Sequence, residues 1–268
     1  MKFQTTAILV SFKSNKIIEN SIKKINNTAY IVIIENSKNR DLKQLEKKYK
    51  NLKVIFNKNS GFGTAANIGA RLVKTKYMLF ISPDTLIEKN GIQKIENISK
   101  EFDNFGILLP TEDKYKLKKN KKITEPIGSP LMFFEKNKFK KFGGFDEKYF
   151  LYYEDIDLQN RFIKKNQKVI KINVFFKHLY GSHDKKFNFE IEINRNWHYM
   201  WSRFYYIKKN YSFFYALICT LPTFLRSLIK LILYFLISKK KYFIYKARFL
   251  GLINSYFGKK SWYRPSIK

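Results

Sequence analysis

The sequence predicts an α/β protein in which a mostly parallel sheet with flanking helices is followed by a C-terminal helical extension that associates with membranes. The first observation is that short apolar runs alternate with helical patterns over residues 1–110, an order typical of parallel sheets. The second is a strongly apolar segment at residues 213–238, which lysines follow directly. Hydrophobic residues make up 45% of the 268 residues, enough for a packed core, and this excludes a disordered chain.

The first 110 residues contain predicted strands and predicted helices in alternation. The strands are predicted at Thr6–Phe12, Tyr30–Ile34, Leu52–Phe56, Tyr77–Ile81 and Gly106–Leu109. The helices are predicted at Asn15–Ile25, Asp41–Tyr49, Ala65–Val73 and Glu88–Phe102. Because parallel sheets bind ligands beyond the carboxyl ends of their strands, we expect a functional site at those ends.

Polar residues stand at the ends of the first four predicted strands. They are Ser11, then Glu35-Asn36-Ser37, then the segment N-K-N-S-G-F-G at Asn57–Gly63, and then Ser82-Pro83-Asp84-Thr85. Any one of these segments is typical of an ordinary turn. Four of them on one edge of a sheet favour a binding crevice.

The glycines after the third strand do not form a standard phosphate-binding loop. The pattern is Gly61-x-Gly63 followed by Asn67-x-Gly69, so it lacks both G-K-[ST] and a complete G-x-G-x-x-G. This argues against a Walker loop and against a dinucleotide fold. A looser contact between backbone amides at a helix start and a phosphate or sugar stays open.

An acidic stretch stands out in a chain of formal net charge +32. Residues 143–158 contain the carboxylates Asp146, Glu147, Glu154, Asp155 and Asp157. Glu154 and Asp155 precede or begin a predicted helix at Asp155–Lys165, where the helix dipole favours negative charge. The stretch is therefore either an acidic turn with a helix cap or a catalytic segment.

Histidine and cysteine usage adds two further expectations. A predicted strand at Lys168–Asn173 leads to His178 and His183, two of the chain's three histidines. A metal or phosphate role and an ordinary surface or core position are both open for them. The single Cys219 excludes an internal disulfide and fits a reducing compartment. The N-terminal apolar run is too short for a signal peptide.

Several motifs follow one another in an order that resembles a known family. They are Ile34-Glu35-Asn36-Ser37, Asn59-Ser60-Gly61-Phe62-Gly63, Asn67-Ile68-Gly69, Ser82-Pro83-Asp84-Thr85, Gly144-Phe145-Asp146-Glu147, the run F-L-Y-Y-E-D-I-D-L at Phe150–Leu158, and His178 with Gly181 and Ser182. Over roughly residues 5–210 the chain resembles the inverting glycosyltransferases of family 2, and most closely their rhamnosyltransferase-like branch. That resemblance implies the nucleotide-sugar-binding GT-A fold.

The resemblance also implies roles for individual residues. Asp84 matches the carboxylate that holds Mg²⁺ or Mn²⁺ against the diphosphate of the donor, and His178 matches a second metal or diphosphate ligand. Asp155 matches the general base that takes a proton from the acceptor hydroxyl, with Glu154 beside it as an orienting or acceptor contact. Glu35 stands where the family usually has an Asp that contacts the nucleotide base.

The resemblance assigns a nucleotide-sugar site and shows one further departure from the family pattern. The site consists of Ser11, Glu35, Asn36, Gly61, Gly63, Asn67, Ser82 and Asp84. Ser82 replaces the Asn usual in this branch, which also leaves a non-catalytic relative as an alternative. The expected donor is dTDP- or UDP-linked, and the expected acceptor is a lipid-linked or surface glycan.

The C-terminal region is predicted to be a separate helical unit. The expected division is a glycosyltransferase domain at residues 1–210 and an amphipathic, apolar helical region at 211–268. Pro222 is expected to break the apolar run into pieces too short to span a bilayer. An interfacial hairpin whose Lys239–Lys241 meet anionic headgroups is therefore favoured over a true span or a soluble subunit interface.

The distribution of positive charge bears on the class of partner. The basic residues are 45 Lys and eight Arg, together the 53 of the chain, and the lysines run through every segment. A nucleic-acid-binding protein is expected to use localised, arginine-rich patches, so this alternative is disfavoured. A nucleotidyltransferase would not need the acidic stretch. The expected location is the cytoplasmic face of the cell membrane, as a peripheral or monotopic protein.

Overall fold

The computed structural model describes residues 2–115, 117–181 and 188–264. Contacts between Cα atoms divide the chain into two compact units. The first comprises Met1–Asp146 and Asp155–Asp184, and the second comprises Glu147–Glu154 and Lys185–Lys268. The domain division expected after residue 210 stays a prediction.

The first unit contains one sheet. Its strands are β1 (Thr5–Ser11), β2 (Tyr30–Glu35), β3 (Leu52–Phe56), β4 (Tyr77–Ile81), β5 (Thr85–Ile87), β6 (Phe105–Glu112), β7 (Lys121–Ile123), β8 (Leu131–Glu135) and β9 (Lys168–His178). The strand order is β3-β2-β1-β4-β8-β6-β9-β5, with β7 also paired to β9. The four neighbouring strands β3, β2, β1 and β4 are parallel, as predicted. Antiparallel β8 then joins β4 to β6.

Helices cover both faces of this sheet. They are α1 (Asn15–Ile25), α2 (Leu45–Lys48), α3 (Phe62–Leu72), α4 (Gly91–Glu101), α5 (Lys136–Lys141) and α6 (Glu154–Lys164). Neighbouring strand residues point to opposite faces. Leu9 accordingly packs in the cluster that contains Ile22 of α1, whereas Ile8 packs in the cluster that contains Leu158 of α6. The α/β fold class is thus confirmed.

Several predicted elements have other bounds in the structure: α3 begins at Phe62 instead of Ala65, and β6 ends at Glu112 instead of Leu109. The helix expected at Asp41–Tyr49 is a 3-10 turn at Arg40–Gln44 followed by the short α2. The strand expected to end at Asn173 continues to His178, because its second half pairs with β5. His178 therefore lies at the end of a strand and not in a loop.

The second unit is helical. Its helices are α7 (Asn188–Asn210), α8 (Phe213–Ile237) and α9 (Lys239–Tyr256). Helix α9 runs antiparallel beside α8, since Tyr245 stacks on Tyr234 while Tyr256 contacts Thr220. Within the described residues, α8 alone is long and apolar enough to cross a membrane, judged by length and composition.

The expectation that Pro222 breaks the apolar run is wrong. Helix α8 continues through Pro222, which lacks an N–H and so removes one intrahelical hydrogen bond. One turn of helix on either side is packed: Thr220 is fully buried and Ser227 is nearly so. We attribute the continuity to this tertiary packing, which outweighs the local preference of proline.

Candidate active site

The carboxyl ends of β1 and β2 bring two buried polar side chains together. Ser11 and Glu35 are register partners on these parallel strands, and both are fully buried. Ser37 donates to Glu35 Oε1 through its hydroxyl and through its backbone N–H at 2.5 Å. Ser11 Oγ and Glu35 Oε2 have no hydrogen-bond partner among the described residues. Buried polar atoms without partners favour a ligand that supplies them.

Asn36 connects this strand edge to the glycine segment. Its Oδ1 accepts a hydrogen bond from Asn57 Nδ2 at 2.9 Å, and its Nδ2 donates to the Gly61 carbonyl at 3.4 Å. Gly61 has φ of 100° and directly precedes α3, in whose first turn Gly63 is buried. This backbone conformation is nearly exclusive to glycine. The predicted residues Asn36, Gly61 and Gly63 are thus brought to one edge of the sheet.

Asn67 has a structural contact that the sequence did not reveal. Its Nδ2 donates to the Phe145 carbonyl at 2.9 Å, and its Oδ1 accepts from the Phe145 N–H at 3.0 Å. This bridge connects α3 to the segment that begins the acidic stretch. The nucleotide contact expected of Asn67 stays a prediction.

Asp84 is brought against His178 by strand pairing. Thr85 of β5 is the register partner of His178 on β9, so Asp84 lies next to the histidine. Asp84 Oδ2 is 3.2 Å from His178 Nε2 and accepts a hydrogen bond from the Gly181 N–H at 3.1 Å. Ser82 Oγ donates to Asp84 Oδ1 at 2.6 Å. The predicted pair Asp84 and His178 is therefore adjacent, whereas Ser182 and His183 lie outside the described residues.

The surroundings of Asp84 keep its carboxylate ionised. Burial alone would raise the pKa of this carboxyl, but the hydrogen bonds from His178 and Ser82 outweigh it, so the pKa lies below its ordinary value. A carboxylate oxygen and an imidazole nitrogen are suitable ligands for Mn²⁺ or Mg²⁺. Among the described residues no group of three ligating side chains forms a complete metal site. The pair therefore fits a cation that phosphate oxygens also hold, as Mg²⁺ commonly is.

Asp155 lies in the first turn of α6 and contacts a segment that precedes β8. Its Oδ2 accepts a hydrogen bond from the Ser129 N–H at 3.1 Å. One turn later, Gln159 accepts from the Ile127 N–H at 3.0 Å and donates to the Ile127 carbonyl at 2.6 Å. Burial raises the pKa of Asp155, against the opposing effect of the Ser129 hydrogen bond. No sequence pattern indicates Ser129 or Gln159, because both contacts are long-range.

Two further acidic residues of the stretch, Asp157 and Glu154, are buried. Asp157 is fully buried and accepts a hydrogen bond from Arg161 Nε at 3.0 Å. The same arginine donates to the Gly144 carbonyl at 2.5 Å. Asp157 therefore orients an arginine that holds the preceding loop. Glu154, the first residue of α6, is buried.

Two strained tyrosines precede Glu154 in the second unit. Tyr152 and Tyr153 both have φ of 68°, a left-handed conformation that costs a bulky residue about 1–2 kcal/mol. Arg195 Nε donates to Tyr152 Oη at 2.6 Å. The Tyr153 ring lies 5.7 Å from that of Tyr199 and 5.4 Å from that of Tyr206. These aromatic contacts with α7 offset the backbone cost.

Comparison with solved structures shows a shared fold. The chain is similar to the "Mannosyltransferase PcManGT from Pyrobaculum calidifontis in complex with GDP-Man and Mn2+", with a TM-score of 0.60 at 12% identity over 96% of this chain and 88% of that one. It is also similar to residues 1–349 of S. aureus TarS, with a TM-score of 0.55 at 14% identity over 98% and 93% of the two chains. No curated protein matches the sequence. The GT-A fold implied by the motifs is confirmed.

A family model gives the assignment. The model described as "Glycosyl transferase family 2" matches residues 6–154, which is more than half of the chain. The matched range holds the strand-end residues Ser11, Glu35 and Asp84 and extends to Glu154 at the start of α6. The chain therefore belongs to glycosyl transferase family 2.

Proposed function

We propose that this glycosyltransferase is an inverting, metal-assisted enzyme. It moves a rhamnose-like sugar or another hexose from a dTDP- or UDP-linked donor to a hydroxyl of a lipid-linked or surface glycan. In this displacement the acceptor oxygen forms a bond to the anomeric carbon while the bond from that carbon to the diphosphate breaks. The acceptor proton goes to a carboxylate of the protein, and the nucleoside diphosphate leaves. GDP-mannose and Mn²⁺ are bound by a structural neighbour of this chain, which is compatible with a diphosphate donor.

The observation that carries the proposal is the contact between Asp84 and His178. An ionised, buried carboxylate 3.2 Å from an imidazole nitrogen lies beyond the end of β4, where parallel sheets bind ligands. Asp84 and His178 would hold the divalent cation together with the donor diphosphate. When bound, the cation supplies positive charge that stabilises the leaving group. Ser82 supports this role by donating to Asp84 Oδ1, which keeps that carboxylate oriented and ionised.

Asp155 is the proposed general base. The raised pKa of Asp155 makes it a stronger proton acceptor than an exposed aspartate, as a general base requires. The Ser129 N–H holds Oδ2 and so fixes the direction of the carboxylate. Glu154 is proposed as an acceptor contact or an orienting residue beside it.

The nucleotide is proposed to bind at the ends of β1 and β2. Ser11 Oγ and Glu35 Oε2 offer a buried hydroxyl and a buried carboxylate oxygen without partners among the described residues. An N–H of a nucleobase is a donor that a carboxylate can accept from, so Glu35 takes the place of the usual aspartate. Asn36, Gly61, Gly63 and Asn67 are also proposed to contact the nucleotide-sugar donor.

Membrane association is proposed for helix α8. Its exposed apolar side chains include Phe214, Ile218, Ile229, Ile232 and Leu236, each more than three-fifths exposed. A patch of this kind on the surface marks an interaction with lipid or protein. Lysines at Lys239–Lys241 follow the helix and favour anionic headgroups. We therefore propose that the enzyme works at the cytoplasmic face of the membrane.

A thermal-shift screen of nucleotide sugars tests the proposed activity. The full-length protein is mixed with UDP-, dTDP- and GDP-linked sugars in the presence and absence of Mn²⁺. We expect at least one UDP- or dTDP-sugar to raise the melting temperature, and Mn²⁺ to increase that rise. No stabilisation by any donor with Mn²⁺ would contradict the proposal, and it would favour a non-catalytic relative of the family.

A further inference from the structure

Arginine is concentrated in the helical unit, although lysine dominates the chain. The five arginines after residue 190 are Arg195, Arg203, Arg226, Arg248 and Arg264, out of eight in the whole sequence. Arginine presents a planar fork of donors that matches a phosphate group, which lysine does not. This bias toward arginine distinguishes the helical unit from the rest of the basic surface.

Three helices contribute cations to one cluster. Arg203 of α7 donates to Thr223 Oγ1 of α8 at 3.2 Å, which fixes the two helices against each other. Lys230 of α8 donates to Tyr245 Oη of α9 at 3.0 Å. The Arg248 guanidinium lies 5.9 Å from the centroid of the same Tyr245 ring. Arg226 lies one helical turn before Lys230 on α8, and we call Arg203, Arg226, Lys230 and Arg248 the cationic cluster.

Within residues 188–264, no hydrogen bond or ion pair joins Arg203, Arg226 or Arg248 to an acidic side chain. The ion pair between Lys240 and Glu192 in this range involves no residue of the cluster. Arg248 Nη1 donates to Asn196 Oδ1 at 3.1 Å, but its buried Nε has no partner among the described residues. Such a buried donor is costly unless a ligand accepts its hydrogen bond.

Mutual repulsion between the cations of the cluster also favours a bound anion. Burial lowers the pKa of Arg248, and the nearby charges of Arg226 and Arg203 lower it further. Like charges held close together are stabilised when an anion binds between them. A phosphate is the anion whose oxygens suit several guanidinium donors at once.

The cluster adjoins the apolar surface of α8. Arg226 is exposed, and the side chains of Leu225 and Ile229 on the same helix are about half and about two-thirds exposed. The side of α8 that faces the protein carries the buried residues Ala216, Thr220 and Ser227. The helix thus presents cations and apolar side chains on neighbouring strips of its surface.

We infer that the cationic cluster binds the phosphate group of a membrane lipid whose apolar chain lies along the exposed face of α8. The guanidinium groups of Arg226 and Arg248 contact the phosphate, and Leu225 and Ile229 contact the chain. This inference rests on the membrane association proposed above, and not on the identity of the donor sugar. A phosphate-bearing amphiphile is favoured over a soluble phosphate because a soluble phosphate would make no contact with the apolar strip of α8.

Vesicle sedimentation with charge-matched lipids tests this site. Full-length protein is mixed with phosphatidylcholine vesicles that contain either phosphatidic acid or, at equal surface charge, cholesteryl hemisuccinate, which carries a carboxylate. We expect tighter binding to phosphatidic acid. Arg226→Gln and Arg248→Gln should each weaken binding to the phosphatidic acid vesicles about fivefold, because one cation no longer contacts the lipid phosphate, and should reduce the preference over cholesteryl hemisuccinate. The control Lys260→Gln removes an exposed charge near the end of the same unit and should leave the phosphate preference intact.

Each other outcome of these experiments has its own interpretation. Equal binding to both anionic vesicles, or an equal loss in Lys260→Gln, would show general electrostatic attraction and overturn the site. Protection from thermal unfolding by glycerol phosphate to the same extent as by phosphatidic acid vesicles would assign the cluster to a soluble phosphate and overturn the lipid. Stabilisation by a nucleotide sugar with Mn²⁺ is measured on the same protein without lipid. Failure of the catalytic proposal is thereby distinguished from failure of this one.

Discussion

The side-chain amide of Asn67 forms two hydrogen bonds with the main chain of Phe145, at 2.9 Å to its carbonyl and 3.0 Å from its N–H. The amide thus satisfies both main-chain polar groups of a residue that lies 78 positions away in sequence. A β carbon at Gly144 would lie 2.7 Å from Asn67 Oδ1, so glycine is needed for the approach. The start of the acidic stretch is positioned by this bridge.

Asn67→Ala should destabilise the protein by about 2–4 kcal/mol. The substitution leaves a buried N–H and a buried carbonyl of Phe145 without these partners, and each costs roughly 1–3 kcal/mol. Urea unfolding monitored by circular dichroism measures the loss. The control is Asn97→Ala on the exposed face of α4, which should change the free energy of unfolding by less than about 0.5 kcal/mol. Equal stabilities of the two variants would show that the bridge is unimportant.

Gly61→Ala should cost about 1–3 kcal/mol of stability. The φ of 100° at Gly61 is accessible to glycine and strained for any other residue. Gly128→Ala serves as the control, because a β carbon there would meet nothing closer than Asp155 Oδ2 at 3.9 Å. Chemical denaturation of both variants gives the comparison. A Gly61 variant as stable as the Gly128 variant would contradict the predicted strain.

Asp155→Asn should abolish sugar transfer while leaving donor binding within a few fold. Asparagine keeps an oxygen that accepts from the Ser129 N–H, so the local structure is retained, but it cannot take the acceptor proton. Single-turnover transfer and donor titration measure the two effects separately. Substantial turnover by a correctly folded variant would exclude Asp155 as the base.

The acid limb of the pH–rate profile provides a second test of Asp155. Because burial raises the pKa of Asp155 above its ordinary value of 3.8, the group should lose its proton, and kcat/KM should rise, at a higher pH than for an exposed aspartate. The rate is measured as a function of pH with the donor at low concentration. A limb at or below the ordinary value would mean that another group titrates.

Asp84→Asn and His178→Ala should each remove the Mn²⁺-dependent part of donor binding. Each substitution removes one ligand of the proposed pair, in which Asp84 Oδ2 lies 3.2 Å from His178 Nε2. The Mn²⁺ dependence of the thermal shift by the donor is compared with that of wild type. Glu88→Gln is the control and should keep the full dependence, because glutamine loses the salt bridge to the exposed Lys94 but keeps an oxygen that accepts from the Phe175 N–H. Retention of the Mn²⁺ effect in either ligand variant would show that the metal binds at other residues.

Acidification should destabilise the helical unit between pH 6.5 and pH 5. Burial lowers the pKa of His198 from 6.5 to about 3, and its ring nitrogens lie 2.8 Å from Ser261 Oγ and 2.9 Å from the Tyr263 carbonyl. Since the unfolded chain binds the proton in this window and the folded chain does not, stability falls as the pH falls, by at most about 1.4 kcal/mol per pH unit.

The melting temperature between pH 7 and pH 5 measures this effect. Carboxylates of ordinary pKa stay largely ionised in that range, so the slope reports mainly on the histidine. His198→Gln should flatten the dependence even if it lowers the absolute stability. An unchanged slope in that variant would assign the pH dependence to other groups.

The parallel half of the sheet could be predicted from sequence because its elements are local and strongly patterned. Helix α1 and strand β4 begin and end where the apolar periodicity predicts, at Asn15–Ile25 and Tyr77–Ile81. The antiparallel half could not be predicted. Strand β8, at Leu131–Glu135, pairs antiparallel with β4 and β6. An apolar run does not indicate whether its strand will pair parallel or antiparallel.

For the candidate site, the residue types could be predicted from the sequence but their contacts could not. The residue types at the strand ends indicated Asp84 and His178, but their contact depends on β5 pairing with the extended second half of β9. The partners of Asp155 and Asn67 are Ser129 and Phe145, which lie 26 and 78 positions away in sequence. Side-chain contacts over such separations leave no periodic signal in a single chain.

The left-handed backbone at Tyr152 and Tyr153 has a consequence for the sequences that this position can tolerate. With φ of 68° at both residues, glycine or asparagine would relieve conformational strain and stabilise the loop itself. Tyrosine is the worse choice for the backbone, so its presence must be explained by the rings and hydroxyls. Replacing either tyrosine with glycine would remove the backbone strain and the ring contacts with α7 together, so the two effects on thermal stability should largely cancel.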